Sequence, residues 1–115
     1  MSDKTYMDWP FLDDSHRELR RALLQWCEDY EFGDDDDVDR TCPKLVADLG
    51  KAGWLKYCVP AEWGGASAKL DVRSIALCRE TLAYRSGLAD FSFAMQGLGS
   101  GAISLFGTDA QRQQY

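Results

Sequence analysis

Phe91-Ser92-Phe93-Ala94-Met95-Gln96-Gly97-Leu98-Gly99-Ser100-Gly101-Ala102-Ile103-Ser104-Leu105-Phe106 runs for 16 residues without a charge. The run is shorter than the ~20 residues a membrane-spanning helix needs, and Gln96, serines and glycines interrupt it. Its many small side chains predict a helix over 90–106 that is enclosed on most sides, at the centre of a helical bundle. Glycine inside a helix costs about 1 kcal/mol relative to alanine. Close approach of a neighbouring helix, or of a ligand, would offset that cost at Gly97, Gly99 and Gly101. Gly and Ala also leave space that Leu would fill, so this helix can wall an apolar pocket. Asp90, Ala94 and Leu98 share one stripe at i, i+4 and i+8, with Met95 and Ala102 beside it. Ordinary core packing is the competing reading of these positions, and Asp90 could instead be a helix N-cap.

On the C-terminal side, Gly107 stops this helix. Thr108 with Gln111 forms a capping box for a fifth helix that has barely begun at Tyr115. A helix that short is marginal alone, which predicts that the sequence is a fragment of a longer protein.

On the N-terminal side, a helix is expected over 71–86, ended by Gly87, with Val72, Ile75, Ala76, Leu82 and Ala83 together. Pro60 and Gly64-Gly65 exclude a continuous helix over the aromatic-rich stretch 54–65. Another helix is expected over 42–52, with Thr41 as cap, Pro43 in the first turn, Gly53 as stop, and Leu45, Val46 and Leu49 as its face. The first helix is expected over 14–30. Leu19, Ala22, Leu23, Trp26, Cys27 and Tyr30 form its apolar face; Arg17, Glu18, Arg20 and Arg21 fill the wet side. Asp13, or Ser15 with Glu18, could start it. No repeat and no alternating strand pattern occurs. The expectation is an all-α, multi-helical up-and-down bundle of about five helices, forming one domain over residues 1–115.

The 115 residues suffice for one small core. A net charge of −6 argues against nucleic acid and anionic membrane surfaces, which call for Lys and Arg to meet phosphate. The N-terminus has no apolar segment or small-residue cleavage site resembling a signal peptide. Cys27, Cys42, Cys58 and Cys78 form no Cys-x-x-Cys pair, which excludes the common zinc spacings. Without a secretion signal they are expected to be reduced and mostly buried, and the protein cytoplasmic.

The search for a catalytic constellation yields none, and no catalytic, cofactor-binding or metal-ligating residue is assigned. His16 is the only histidine and is expected to be solvent-exposed. Gly99-Ser100-Gly101 is not a nucleophile elbow or a dinucleotide loop, because no strand precedes it and no second histidine serves the serine. The acidic run from Asp34 to Asp39 lacks the spacing and central glycine of a calcium loop, and reads as a solvated loop.

Three stretches together carry a resemblance. Ala52-Gly53-Trp54-Leu55 followed by Val59-Pro60-Ala61-Glu62-Trp63-Gly64-Gly65 resembles the acyl-CoA dehydrogenase pattern of an Ala-Gly turn, then Pro, an acidic residue, an aromatic and Gly-Gly. Phe11-Leu12-Asp13-Asp14, opening a charged helix, resembles that family's usual start. Gly107-Thr108-Asp109-Ala110-Gln111 is similar to its Gly-Thr-x-x-Gln run, normally followed by Leu-Pro. The order and spacing of the three cover essentially the whole sequence.

The resemblance implies a helical N-terminal domain, followed in the full protein by a β-domain and a C-terminal four-helix domain. It implies an FAD enzyme that removes two hydrogens across the α,β carbons of an acyl-CoA, usually as a homotetramer. The catalytic base and nearly all flavin contacts belong to the later domains. The fragment alone is therefore expected to be inactive and to bind no FAD. By position, Asp90, Ala94, Met95 and Leu98 would contribute acyl-pocket wall. Burying Asp90 in a long greasy tunnel would be costly unless it is paired or caps a helix, which favours a short, branched or cyclic acyl group. A related flavin oxidase or monooxygenase shares the implied fold. A stand-alone helical interaction module is the alternative of another class.

Overall fold

The computed structural model describes residues 3, 5–33 and 36–115. Among them are five α-helices and no strand: α1 (Asp14–Asp29), α2 (Val38–Lys51), α3 (Val72–Arg85), α4 (Gly87–Phe106) and α5 (Asp109–Gln114). Short 3-10 turns occupy Thr5–Asp8, Trp54–Cys58 and Ala61–Trp63. The all-helical expectation holds.

Leu19, Leu23 and Cys27 recur at helical spacing on α1 and bury one face of it. They meet Leu45 and Leu49 of α2, Cys78 and Leu82 of α3, Cys58 of the connecting turn, and Ala89 and Phe93 of α4 in one core. α4 packs on α3, on α2 and on the turn Trp54–Cys58, while α1 packs on α3. Trp26 stacks on Tyr30 with ring centroids 4.5 Å apart. The Tyr30 hydroxyl donates to Asp48 at 2.8 Å, tying the end of α1 to α2. Cys27, Cys58 and Cys78 are buried free thiols, and Cys42 is half-buried and free.

α2 begins earlier than expected. Asp37, not Thr41, is the N-cap, and its carboxylate accepts from the Arg40 amide at 3.3 Å. Thr41 is buried a turn inside the helix, and Pro43 lies deeper still. An aspartate cap followed by Asp39 favours the positive helix end, which lets the helix start upstream of the proline. Of the acidic run, Asp34 and Asp35 lie outside the described residues; Asp37 to Asp39 begin α2 rather than form loop. Gly53 stops this helix, with φ of 86° in the left-handed region.

α3 and α4 share a joint one residue long. Ser86 ends α3 and caps α4, its hydroxyl accepting from the Ala89 amide at 3.2 Å. Asp90 is therefore not an N-cap; it sits in the first turn of α4. The face expected for α3 is also corrected. Leu82 is buried and Ile75 packs against the core as expected, but Val72, Ala76 and Ala83 are exposed, and Ser74, Leu77, Cys78 and Thr81 complete the buried face. Two hydroxyl residues on the inner face hide that face from a reading by hydrophobicity alone.

His16 departs most from expectation. It is 1% exposed. Its Nδ1 lies 3.0 Å from both the Asp13 amide nitrogen and Asp13 Oδ1, and its Nε2 lies 2.6 Å from Asp71 Oδ2. Asp13 caps α1, and His16 takes the place that Glu or Gln usually holds in a capping box. Its partner is 55 residues away, so no local pattern could reveal it.

An outward wall on helix α4

α4 is the longest helix, 20 residues from Gly87 to Phe106. Its inner arc buries Ala89, Ser92 and Phe93. The Ser100 hydroxyl reaches the Gln96 carbonyl at 2.8 Å and the Cys58 carbonyl at 3.2 Å, which fastens the helix to the preceding turn. This serine is a structural donor, consistent with the absence of a nucleophile motif. Gly97 faces Cys58: a Cβ there would lie 3.5 Å from the thiol sulfur.

The outer arc contradicts the expected enclosure. Phe91, Met95, Leu98, Ala102, Leu105 and Phe106 are all exposed, Leu98 at 69% and Phe106 at 87%. They recur at i, i+4, i+7, i+11, i+14 and i+15, a single stripe that extends for about 22 Å at the helical rise. Beyond the adjoining residues and the helix's own backbone, no heavy atom of the described residues lies within 4 Å of a Cβ built at Gly99 or Gly101. Neither glycine is there to admit a neighbouring helix of the described residues.

The residues singled out from the sequence fall on this side of α4, though not all in one role. Met95 and Leu98 are on the open stripe, and Ala94 is half-buried at its edge. Asp90 is on the flank toward α3. Arg79 of α3 holds its carboxylate in a two-pronged contact, Nε to Oδ1 at 2.8 Å and Nη2 to Oδ2 at 2.9 Å. Sequence reasoning missed Arg79, and it missed Phe91, which stands one turn before Met95 on the same stripe. A helical wheel centred on Met95 would have found Phe91; Arg79 needs the tertiary fold.

The C-terminal end of α4 forms a second feature. α5 folds back beneath it through the capping box of Thr108 and Gln111. Arg112 lies over the Trp63 ring, 6.0 Å from its centroid. Val59, Trp63, Ser100, Ile103, Ser104, Arg112 and Tyr115 line a small cavity of about 50 Å³ there. No helix of the described residues is long and apolar enough to cross a membrane.

An exposed apolar helix face is one side of a cleft and cannot enclose a ligand. The described residues present one such face, which does not fit a complete flavin site.

Comparison with known proteins gives this arrangement a context. The family model described as acyl-CoA dehydrogenase, N-terminal domain, matches residues 13–115. Three curated relatives are each 26% identical over 114 residues: acyl-CoA dehydrogenase FadE12 of Mycobacterium tuberculosis strain ATCC 25618 / H37Rv, its counterpart in strain CDC 1551 / Oshkosh, and that of Mycobacterium bovis. The alignments cover 94% of this chain but only 28% of each relative, so the chain spans little more than a quarter of their length. The match extends from the N-cap of α1 to the end of α5, and the chain belongs to the acyl-CoA dehydrogenase family, as its helical N-terminal domain.

Proposed function

We propose that this domain belongs to a full-length, FAD-dependent acyl-CoA dehydrogenase, in which the outer face of α4 walls the acyl chain of an acyl-CoA thioester. The observation that carries this reading is the open stripe of Phe91, Met95, Leu98, Ala102, Leu105 and Phe106. A contiguous exposed apolar face on a protein of net charge −6 marks a surface that is covered in use. The remaining domains of the same polypeptide are the proposed cover, with the acyl chain held between them and α4.

FAD, when bound, supplies the hydride acceptor. The catalytic base and the flavin cradle are assigned to the later domains, and no chemical step is routed through the residues described here. What these residues do is bind and exclude water: Ala94, Met95 and Leu98 offer apolar contact, and Arg79 neutralises Asp90 at the flank. That pairing lowers the cost of burying Asp90, which supports a longer acyl chain beside the short, branched or cyclic group that an unpaired carboxylate would favour. The family resemblance supports a homotetramer, and the reduced thiols fit a cytoplasmic enzyme.

The test is a series of saturated acyl-CoA substrates on the full-length protein. Ala94→Phe should lower kcat/KM for the longer chains while leaving the shortest nearly unchanged. Equal losses at every length would overturn the assignment of α4 as acyl wall; no flavin-dependent dehydrogenation of any acyl-CoA would overturn the enzyme reading.

A further inference from the structure

Three of the chain's 13 basic residues fall within five positions of α1, at Arg17, Arg20 and Arg21. Their spacing of i, i+3 and i+4 puts them on one flank of the helix. With Met7 and Leu24 they line a surface groove of about 270 Å³. Like charges at this spacing destabilise a helix unless something balances them. The protein's own carboxylates balance them only in part. Arg17 is fixed by Met7, whose carbonyl accepts from Nε at 2.9 Å, and by Asp14 at 3.0 Å. Arg20 lies beside the Tyr6 hydroxyl, which donates to Glu80. The Arg20 Nε–H is buried with no acceptor. Arg21 makes no hydrogen bond or ion pair among the described residues, and the adjacent Glu18 pairs with none of the three.

We propose that this groove is an oxyanion site that takes a phosphate group. Guanidinium forks match phosphate oxygens in geometry and remain charged at any working pH. An oxyanion there would relieve the mutual repulsion of the arginines, above all at Arg21, which has no partner of its own among the described residues. The Met7 and Leu24 side chains add an apolar border, which suits a phosphate attached to an organic group. The site is on α1 and is independent of the acyl-wall reading of α4.

Titration of the ¹⁵N-labelled chain with inorganic pyrophosphate, at constant ionic strength set by chloride, tests it. Saturable shifts are expected at the Arg17, Arg20 and Arg21 side-chain Nε–H signals. Arg21 is exposed, so Arg21→Glu leaves the packed side of α1 intact and should raise the midpoint by about tenfold or more. Arg85→Gln, on α3, should leave it unchanged. Linear, unsaturating shifts, or the same midpoint in the folded Arg21→Glu protein, would overturn the proposal.

Discussion

His16 Nε2 lies 2.6 Å from Asp71 Oδ2, and this contact fastens the first turn of α1 to the N-cap of α3. Both helix starts depend on the pair. Asp71 also accepts from Arg73 Nε at 3.1 Å and from the Ser74 hydroxyl at 3.0 Å. Replacing His16 by Ala removes one of three side-chain partners of a half-buried carboxylate and empties the ring's place in the core. The expected loss is about 2 kcal/mol of unfolding free energy, measured by urea denaturation.

The same site predicts a pH dependence. Burial pushes the Asp71 carboxyl up, but hydrogen bonds from His16, Arg73 and Ser74 outweigh it and hold the pKa at about 2, below the usual 3.8. A carboxyl depressed by folding adds stability above its unfolded pKa and loses it as pH falls through the folded one. Asn can still cap α3 but cannot ionise. Asp71→Asn should therefore be less stable than the parent by on the order of 1 kcal/mol above about pH 4, with the gap closing toward pH 2. A gap that stays constant across that window would contradict the assignment.

Gly65 tolerates no side chain. A Cβ at this position would lie 1.6 Å from the Val59 carbonyl oxygen and 2.9 Å from the Pro60 carbonyl carbon. The Gly65 amide donates to the Pro60 carbonyl at 3.0 Å, and the Ala66 amide to the Lys56 carbonyl at 2.8 Å, so the turn cannot open without losing backbone hydrogen bonds. Gly65→Ala is expected to cost about 3 kcal/mol, read as a fall in the thermal midpoint.

The Arg79–Asp90 fork joins α3 to α4 beside the stripe. Arg79 is half-exposed, so the coupling should be modest, about 1 kcal/mol in a double-mutant cycle with Arg79→Met and Asp90→Asn. If α4 walls the acyl chain, Arg79→Met alone should be the worse single change for a long acyl-CoA in the full-length protein, because it leaves the carboxylate without its partner on α3. Restoration of activity in the double variant is the expected signature.

The thiols separate into two classes. Burial pushes Cys27 and Cys58 up to about 11 and Cys78 up to about 12. All three are protonated and enclosed at pH values where a free thiol begins to react. Cys42 is half-exposed. At mildly alkaline pH one thiol should label quickly with a disulfide reagent and three only upon unfolding, with the fast site mapped to Cys42 by mass spectrometry.

What could be read from the sequence follows from where the information is local. The apolar period of α1, the capping box of Thr108 and Gln111, and the break at Gly64-Gly65 are written within a few residues of each other. So is the family pattern, whose spacing anticipated the match over residues 13–115. His16 and Arg79 were not legible, because Asp71 and Asp90 reach them only after α1, α3 and α4 have packed. The inner face of α3 was misread because Ser74 and Thr81 are buried there while Val72 faces water. Helix α4 was read as surrounded because charge-free residues cover it all round; an exposed apolar face has the same composition as a face in the core.

That ambiguity gives the sharpest contrast among the predictions. Phe93 and Leu98 are five residues apart on α4, both large and apolar, yet Phe93 is fully buried and Leu98 is 69% exposed. Phe93→Ala removes a ring from the common core of α1, α2, α3 and α4 and should cost about 3 to 5 kcal/mol. Leu98→Ser removes contacts with nothing in this domain and should change stability by no more than about 0.5 kcal/mol. If α4 serves as a wall in the longer protein, the order reverses for function: Leu98→Ser leaves the domain folded while weakening acyl-CoA turnover. Urea denaturation of the chain, set beside kcat/KM of the full-length enzyme, separates the two faces. A loss of several kcal/mol from Leu98→Ser would mean that the stripe is already packed in the domain itself, and the proposed wall would have to be sought elsewhere.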